Sequence, residues 1–259
     1  MPKFVLLLTA CFLVVVPTLA EALRTASTSL APSANQESAV RAAFTNSART
    51  TGIVEGIIKY QADPRRPWKL SRYYVRNAKE GSLAEAVVAL EGSTLAASAW
   101  SNAPTNRTMD QANFQFVPET MAVRAGDAVR ITNSDEALHN VMTSDGGKPF
   151  NVNVIKGKEF TQRFDRAGGL NQPIRLGCVF HGGMRAWIYV FDHPWFKVTE
   201  PDGRFRFENV PAGEYTLGAV HPAGRLRWNQ RIEVKPNGGT SVEISLSPDY
   251  LIGSKENDR

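Results

Sequence analysis

Cysteine is nearly absent. The 259 residues hold two, Cys11 and Cys178, and only four histidines. So few thiols exclude a disulfide-stapled scaffold, and four histidines exclude any machinery that needs many imidazoles. Strong charge of one sign is also missing, since the formal net charge is only +5. The densest basic stretch is Arg65-Arg66-Pro67-Trp68-Lys69-Leu70-Ser71-Arg72, with Tyr73 and Tyr74 behind it. Basic residues among aromatics can hold single-stranded nucleic acid. This short stretch reads first as a solvated loop and second as a docking patch for an acidic partner. No long apolar run follows residue 22, which excludes a membrane helix of roughly 20 residues there. With 42% hydrophobic and 21% charged residues the chain has a folded protein's composition, of a length for one large or two modest domains.

Residues 1–22 read as a secretory signal. Lys3 supplies the positive start, residues 4–16 are apolar but too short to span a bilayer, and Ala20 or Ala22 precedes the cleavage point. A lipoprotein signal ending at Cys11 is the weaker reading, because it strands the apolar run 12–16 on the mature side. Removal of the signal takes Cys11 and Lys3 with it. Cys178 is then the sole thiol of a protein expected in the periplasm or outside the cell, where an unoccupied thiol is a liability.

Cys178 sits in Cys178-Val179-Phe180-His181-Gly182-Gly183-Met184. Thiolate, imidazole and thioether at this spacing can converge on one ion from a single turn. That soft set suits copper, and a second imidazole with a weak axial thioether completes the blue-copper electron-transfer set. His139, in Asn133-Ser134-Asp135-Glu136-Ala137-Leu138-His139-Asn140-Val141, is the upstream candidate. Met121 and Met142 lie nearby in sequence, but only Met184 has the loop spacing.

Residues 111–192 resemble the cupredoxin family. The ligand loop is similar to that of amicyanin, and the His139-Asn140-Val141 step to that of plastocyanin-like proteins. Phe116-Val117-Pro118, Val123-Arg124-Ala125-Gly126-Asp127 and Asn133-Ser134-Asp135 also match the run towards the first histidine. The resemblance implies one type 1 copper held by His139, Cys178 and His181 with Met184 axial, and Asn140 tying its loop to the Cys178 loop. It departs from amicyanin at Gly182-Gly183, where a proline is usual; the glycines leave the edge of His181 less covered. Short strands are expected at 114–117, 122–125, 128–133, 150–155, 160–165, 174–178 and 185–191. Parity puts Ile174, Leu176 and Cys178 on one inward face.

Strand-like segments flank this stretch. Residues 53–60 and 86–90 precede it. After it, residues 196–200 and 204–207 surround Pro201-Asp202-Gly203, whose Asp-Gly step signals a hairpin. Strands 231–234 and 241–246 follow around Asn237-Gly238. The pattern Asp-Gly-x-Phe-x-Phe-x-x-Val-Pro-Ala-Gly-x-Tyr-x-Leu over 202–217 resembles the carboxypeptidase regulatory-like domain, a transthyretin-like β-sandwich. The expected fold is therefore all-β. A Greek-key cupredoxin sandwich at 111–192 is inserted into a second small sandwich split between 52–95 and 194–247. A spacer at 23–50 and a polar tail at 248–259 complete the chain.

The function expected is that of an exported carrier of single electrons between redox partner proteins, not an enzyme. Multicopper oxidases require far more histidines. A nitrite-reductase-like second copper would need three more where only His193 and His221 are spare, and both of these read as structural. The alternative is a copper-binding carrier or adhesion protein of the envelope, in which the regulatory-like domain contacts a partner or polysaccharide. Neither nucleic acid nor a membrane span is implied. Asn106-Arg107-Thr108 is formally a glycosylation acceptor, relevant only in a eukaryotic host.

Overall fold

A computed structural model describes residues 51–92, 95, 104–146 and 148–252. The expected signal, Cys11, the spacer and the end of the polar tail lie outside the described residues. The described part is almost entirely β: sixteen strands in four sheets, with one short helix, α1 (Ser71–Tyr74), and a 3-10 turn at Pro248–Tyr250. No helix among the described residues is long and apolar enough to cross a membrane.

One sandwich is built from a three-stranded and a four-stranded sheet. In the first, β1 (Thr51–Tyr60) lies between β13 (Arg204–Pro211) and β16 (Gly239–Leu246), antiparallel to the former and parallel to the latter. In the second, the order is β12 (Phe196–Val198), β2 (Val87–Glu91), β14 (Gly213–His221), β15 (Leu226–Val234). The period of two decides which side chains meet between them. Val54, Ile58 and Tyr60 of β1 join Val88 and Leu90 of β2, Phe205 and Phe207 of β13, and Leu217 of β14. Strands from before residue 92 and after residue 195 thus pair side by side.

The second sandwich faces the order β4 (Gln115–Val117), β3 (Asn106–Ala112), β6 (Ala128–Asn133), β9 (Glu159–Arg163) against a five-stranded sheet. That sheet runs β5 (Thr120–Arg124), β11 (Arg185–Phe191), β10 (Ile174–Gly177), β7 (His139–Thr143), β8 (Phe150–Val154). Met109, Phe116, Val123, Ile131, Val141, Leu176 and Ile188 fill its core.

The sandwiches touch through strands that are apolar on both faces. β2 turns Val88 and Leu90 into its own core, and Val87 and Ala89 outward. β11 does the same with Ile188 and Val190 inward, and Tyr189 and Phe191 outward. The outward residues meet, with Leu170 and Val220, in one buried apolar cluster. The uninterrupted apolar run Ala86-Val87-Val88-Ala89-Leu90 reflects this double burial.

Three local expectations are corrected. Asp202-Gly203 forms a turn, closed by the Gly203 N–H donating to Glu200 O at 2.8 Å. The strands on either side enter opposite sheets, however, β12 beside β2 and β13 beside β1. A Cβ on Gly203 would lie 2.4 Å from Ile58 O, so glycine is needed for the close approach as well as for φ +71°. β3 was not foreseen, because its inward residues are Met109 and Gln111 rather than β-branched ones. Finally, the basic stretch is more than a solvated loop: Trp68 and Tyr74 fold back onto the first sandwich, with ring centroids 5.2 and 4.4 Å from that of His221.

His221, at the end of β14, is buried, and its Nδ1 accepts the Gly224 N–H at 3.0 Å. Burial pushes its pKa from 6.5 down to about 4. The unfolded chain therefore takes up a proton that the folded protein refuses. Stability should be full above about pH 6.5 and fall as the pH drops towards 4, at about 1.4 kcal/mol per pH unit. His221→Asn, whose Oδ1 can still accept from Gly224, should flatten that acid limb in urea midpoints. A variant as acid-sensitive as wild type would contradict this assignment.

Candidate metal centre

β6 ends at Asn133, whose side chain clamps the loop that follows. Its Nδ2 donates to Ala137 O (2.9 Å) and Val154 O (2.7 Å), and its Oδ1 accepts from the Asp135 N–H (2.9 Å). The chain re-enters the sheet at β7 with His139 fully buried as its first residue. Next to β7 runs β10, and Cys178 follows its last residue, buried on the core side with Ile174 and Leu176. The ligand loop then turns back into β11, closed by the Met184 N–H donating to His181 O at 2.9 Å.

The two loops bring three donors together. His139 Nδ1 and His181 Nδ1 are 3.0 Å apart, Cys178 Sγ is 3.7 Å from His181 Nδ1, and all three donor atoms lie within 4.8 Å of one another. One first-row ion, at about 2.0 Å from nitrogen and about 2.3 Å from sulfur, can span edges of this size. Met184 is buried in the same apolar cluster as Cys178. Asn140 accepts the Val179 N–H at 2.6 Å through Oδ1, bonds Asn151 through Nδ2, and accepts Gln111 Nε2 at 3.0 Å through its carbonyl. The Cys178 loop is therefore fastened to the His139 strand by one side chain.

Asp135 was not foreseen as part of the site. Its Oδ2 lies 2.8 Å from His139 Nε2, and its carboxylate also accepts the backbone N–H of Asn113 (2.7 Å) and Phe114 (2.9 Å). The Phe114 N–H above all, with His139 and Asn113, holds its carboxyl below the usual carboxylate range. A carboxylate can only accept, so Nε2 of His139 carries a hydrogen, and in the neutral ring Nδ1 is the nitrogen left to offer a lone pair to the site.

Phe114 was expected inside a strand. It is instead the second residue of the Asn113-Phe114 turn between β3 and β4, with φ +54° and +57°. An aromatic side chain there is strained. Its ring stands edge-on over both imidazoles, with centroids 5.4 Å from His139 and 4.9 Å from His181. Cover for His181 thus comes from Phe114, not from the ligand loop: a Cβ on Gly182 or Gly183 would meet nothing within 4 Å.

The two spare histidines lie elsewhere. His193 is buried, its Nδ1 accepting the Trp195 N–H at 3.2 Å, and His221 is held at Gly224. Asn106 is exposed at the start of β3.

A search among curated proteins found no match. Similar solved structures include a Cu-containing nitrite reductase (NirK) from Thermus scotoductus SA-01, at 21% identity over 36% of this chain and 24% of that one, TM-score 0.31. The chain therefore spans about a quarter of that enzyme. A purple cupredoxin from Nitrosopumilus maritimus matches at 21% identity over 33% of this chain and 99% of its own, TM-score 0.28. An oxidised amicyanin variant matches at 24% identity over 36% and 89%, TM-score 0.30. Residues 103–188 match the family model of copper binding proteins of the plastocyanin/azurin family, which supports a cupredoxin domain over the segment that carries His139, Cys178, His181 and Met184.

Proposed function

We propose that this chain is an exported type 1 copper protein that carries single electrons between redox partners, and not an enzyme. The observation that carries this reading is the convergence of His139, Cys178 and His181 on one point at the rim of a cupredoxin-like sandwich. In this proposal those three residues, with the Met184 thioether, would hold the copper. Bound there, copper would supply a one-electron Cu(II)/Cu(I) couple.

The residues around it keep the donors still. Asn133 clamps the loop before His139, Asn140 ties that strand to the Cys178 loop, and Asp135 orients the His139 ring. Donors fixed in this way favour a site that changes oxidation state without rearranging. His181 is only half-buried, and its edge is the natural exit for an electron. His193 and His221 accept hydrogen bonds from the backbone, which supports a single-copper carrier over a two-site enzyme.

The domain layout is part of the proposal: a cupredoxin inserted into a carboxypeptidase regulatory-like sandwich made of 52–95 and 194–247. The pairing of β1 with β13 and β16, and of β2 with β12 and β14, supports it.

Voltammetry of the copper-loaded protein tests the carrier role. A reversible one-electron couple with fast self-exchange is expected. Copper that leaves on reduction, or an irreversible couple, would favour a copper carrier or envelope adhesion protein instead. Asp135→Ala removes the orienting carboxylate, and should weaken copper binding by about 10- to 100-fold in chelator competition while the colour persists. Unchanged affinity would deny Asp135 that role.

A further inference from the structure

Residues 61–79 hold six of the chain's 30 basic residues and one of its 25 acidic ones. The segment's net +5 therefore equals that of the whole chain, and the remainder is balanced. Arg66 is paired with Asp63 and Asp249, whereas Arg65, Lys69, Arg76 and Lys79 form no ion pair among the described residues. A local positive field of this kind steers acidic surfaces.

The segment belongs to the first sandwich but lies beside the ligand loop of the second. Tyr74 Oη donates to Glu119, and Glu119 accepts Arg185 Nε at 3.2 Å; Arg185 directly follows Met184. A second tie is the Thr120 N–H donating to Glu85 at 3.1 Å. Between them opens a cleft of about 420 Å³, lined by Leu70 and Tyr73 on one side and by Val117, Pro118, Gly183 and Arg185 on the other. Next to it lies the apolar rim of the metal centre, where Phe114 is 52%, Val179 60% and Phe180 51% exposed. Tyr73, 57% exposed, extends that rim across the cleft.

We infer that these parts form one composite docking face for an acidic redox protein. Its carboxylates would meet Lys69, Arg72 and Arg76, while an apolar contact seats against Phe114, Val179 and Phe180 over the His181 edge. Charge sets encounter and orientation, and the apolar contact brings the two redox centres close. The non-cupredoxin sandwich is then a specificity device attached to the electron exit. This rests on the electron-carrier reading, which is tested separately by the couple of the copper-loaded protein.

The test is stopped-flow oxidation of two reduced c-type cytochromes, one acidic and one basic, by the full copper-loaded chain at several ionic strengths. The rate with the acidic cytochrome should be the faster at low salt and fall steeply as salt rises. The triple variant Lys69→Glu, Arg72→Glu, Arg76→Glu should lose about tenfold or more of that rate at low salt, with its visible spectrum unchanged. The charge-matched control Arg204→Glu, Arg231→Glu, Lys235→Glu should change it less than about twofold. Equal losses in the two triple variants, or a wild-type rate that favours the basic cytochrome at low salt, would overturn the docking face alone. Absence of a reversible couple in the wild type would overturn the carrier reading, and the docking face with it.

Discussion

Replacing Cys178 by serine should abolish the intense visible absorption of the Cu(II)-loaded protein completely. The hydroxyl of serine stays protonated at neutral pH and offers no thiolate orbital for charge transfer to the metal. The same substitution should leave the fold almost untouched, because Cys178 and serine have similar volumes and the site is fastened by other groups. Asn140 holds Val179, and the Met184 N–H closes the loop on His181 O. Far-ultraviolet circular dichroism should therefore match wild type while the colour is gone. Met184→Leu is the companion variant: the colour persists and the potential rises, as expected when a weak axial donor is removed. A Cys178→Ser protein that keeps an intense band would remove the thiolate from the site. A Met184→Leu protein with an unshifted potential would remove the thioether.

Gly56→Ala should unfold the first sandwich or come close to it. Gly56 is in the middle of β1, paired with Phe205 on one side and Val242 on the other. A Cβ there would lie 2.0 Å from Val242 O and 2.8 Å from the Phe205 ring. The Val242 carbonyl cannot retreat without breaking the ladder between β1 and β16, and the Phe205 ring is itself packed in the core. The cost should exceed the roughly 1–3 kcal/mol of an ordinary overpacked core site. Losing β1 also strips Phe205 and Phe207 of β13 of their neighbour in the sheet, and Leu217 of part of the layer facing it, at roughly 1.5–3 kcal/mol for each side chain that becomes fully exposed. Under the inserted layout, deletion of residues 52–92 has the same consequence for the strands beyond residue 195. In both cases copper binding by the cupredoxin-like part should survive better than the sandwich around it. Urea unfolding followed separately by tryptophan fluorescence and by copper colour measures this. A Gly56→Ala protein with wild-type midpoints in both signals would show that β1 is dispensable to that core.

The grouping of His139, Cys178 and His181 was legible where chemistry is tied to spacing. Cys178, His181 and Met184 occupy one short turn, and parity with Ile174 and Leu176 placed Cys178 inward. Asp135 was not legible: it precedes His139 by four residues, but in a loop, where no fixed periodicity says which side chains face each other. Phe114 misled for a related reason. An aromatic residue beside Gln115-Phe116-Val117 reads as strand, yet Asp135 captures its N–H and fixes it in a left-handed turn over the imidazoles. Strands whose inward residues are apolar, such as β11, showed in the sequence; β3, which points Gln111 inwards, did not. The Asp202-Gly203 turn was visible, but a turn does not reveal that its two strands enter different sheets. That depends on Ile58, far away in sequence, whose N–H bonds Gly203 O at 2.8 Å.

The most direct test of the central claim is the visible and electron paramagnetic resonance spectrum of the wild-type chain loaded with one equivalent of Cu(II). A thiolate–copper bond in a type 1 geometry predicts an intense blue or green protein with a compressed copper hyperfine splitting, bleached by one electron per chain. A copper-loaded oxidised protein that is essentially colourless, with the wide splitting of ordinary Cu(II), would contradict it.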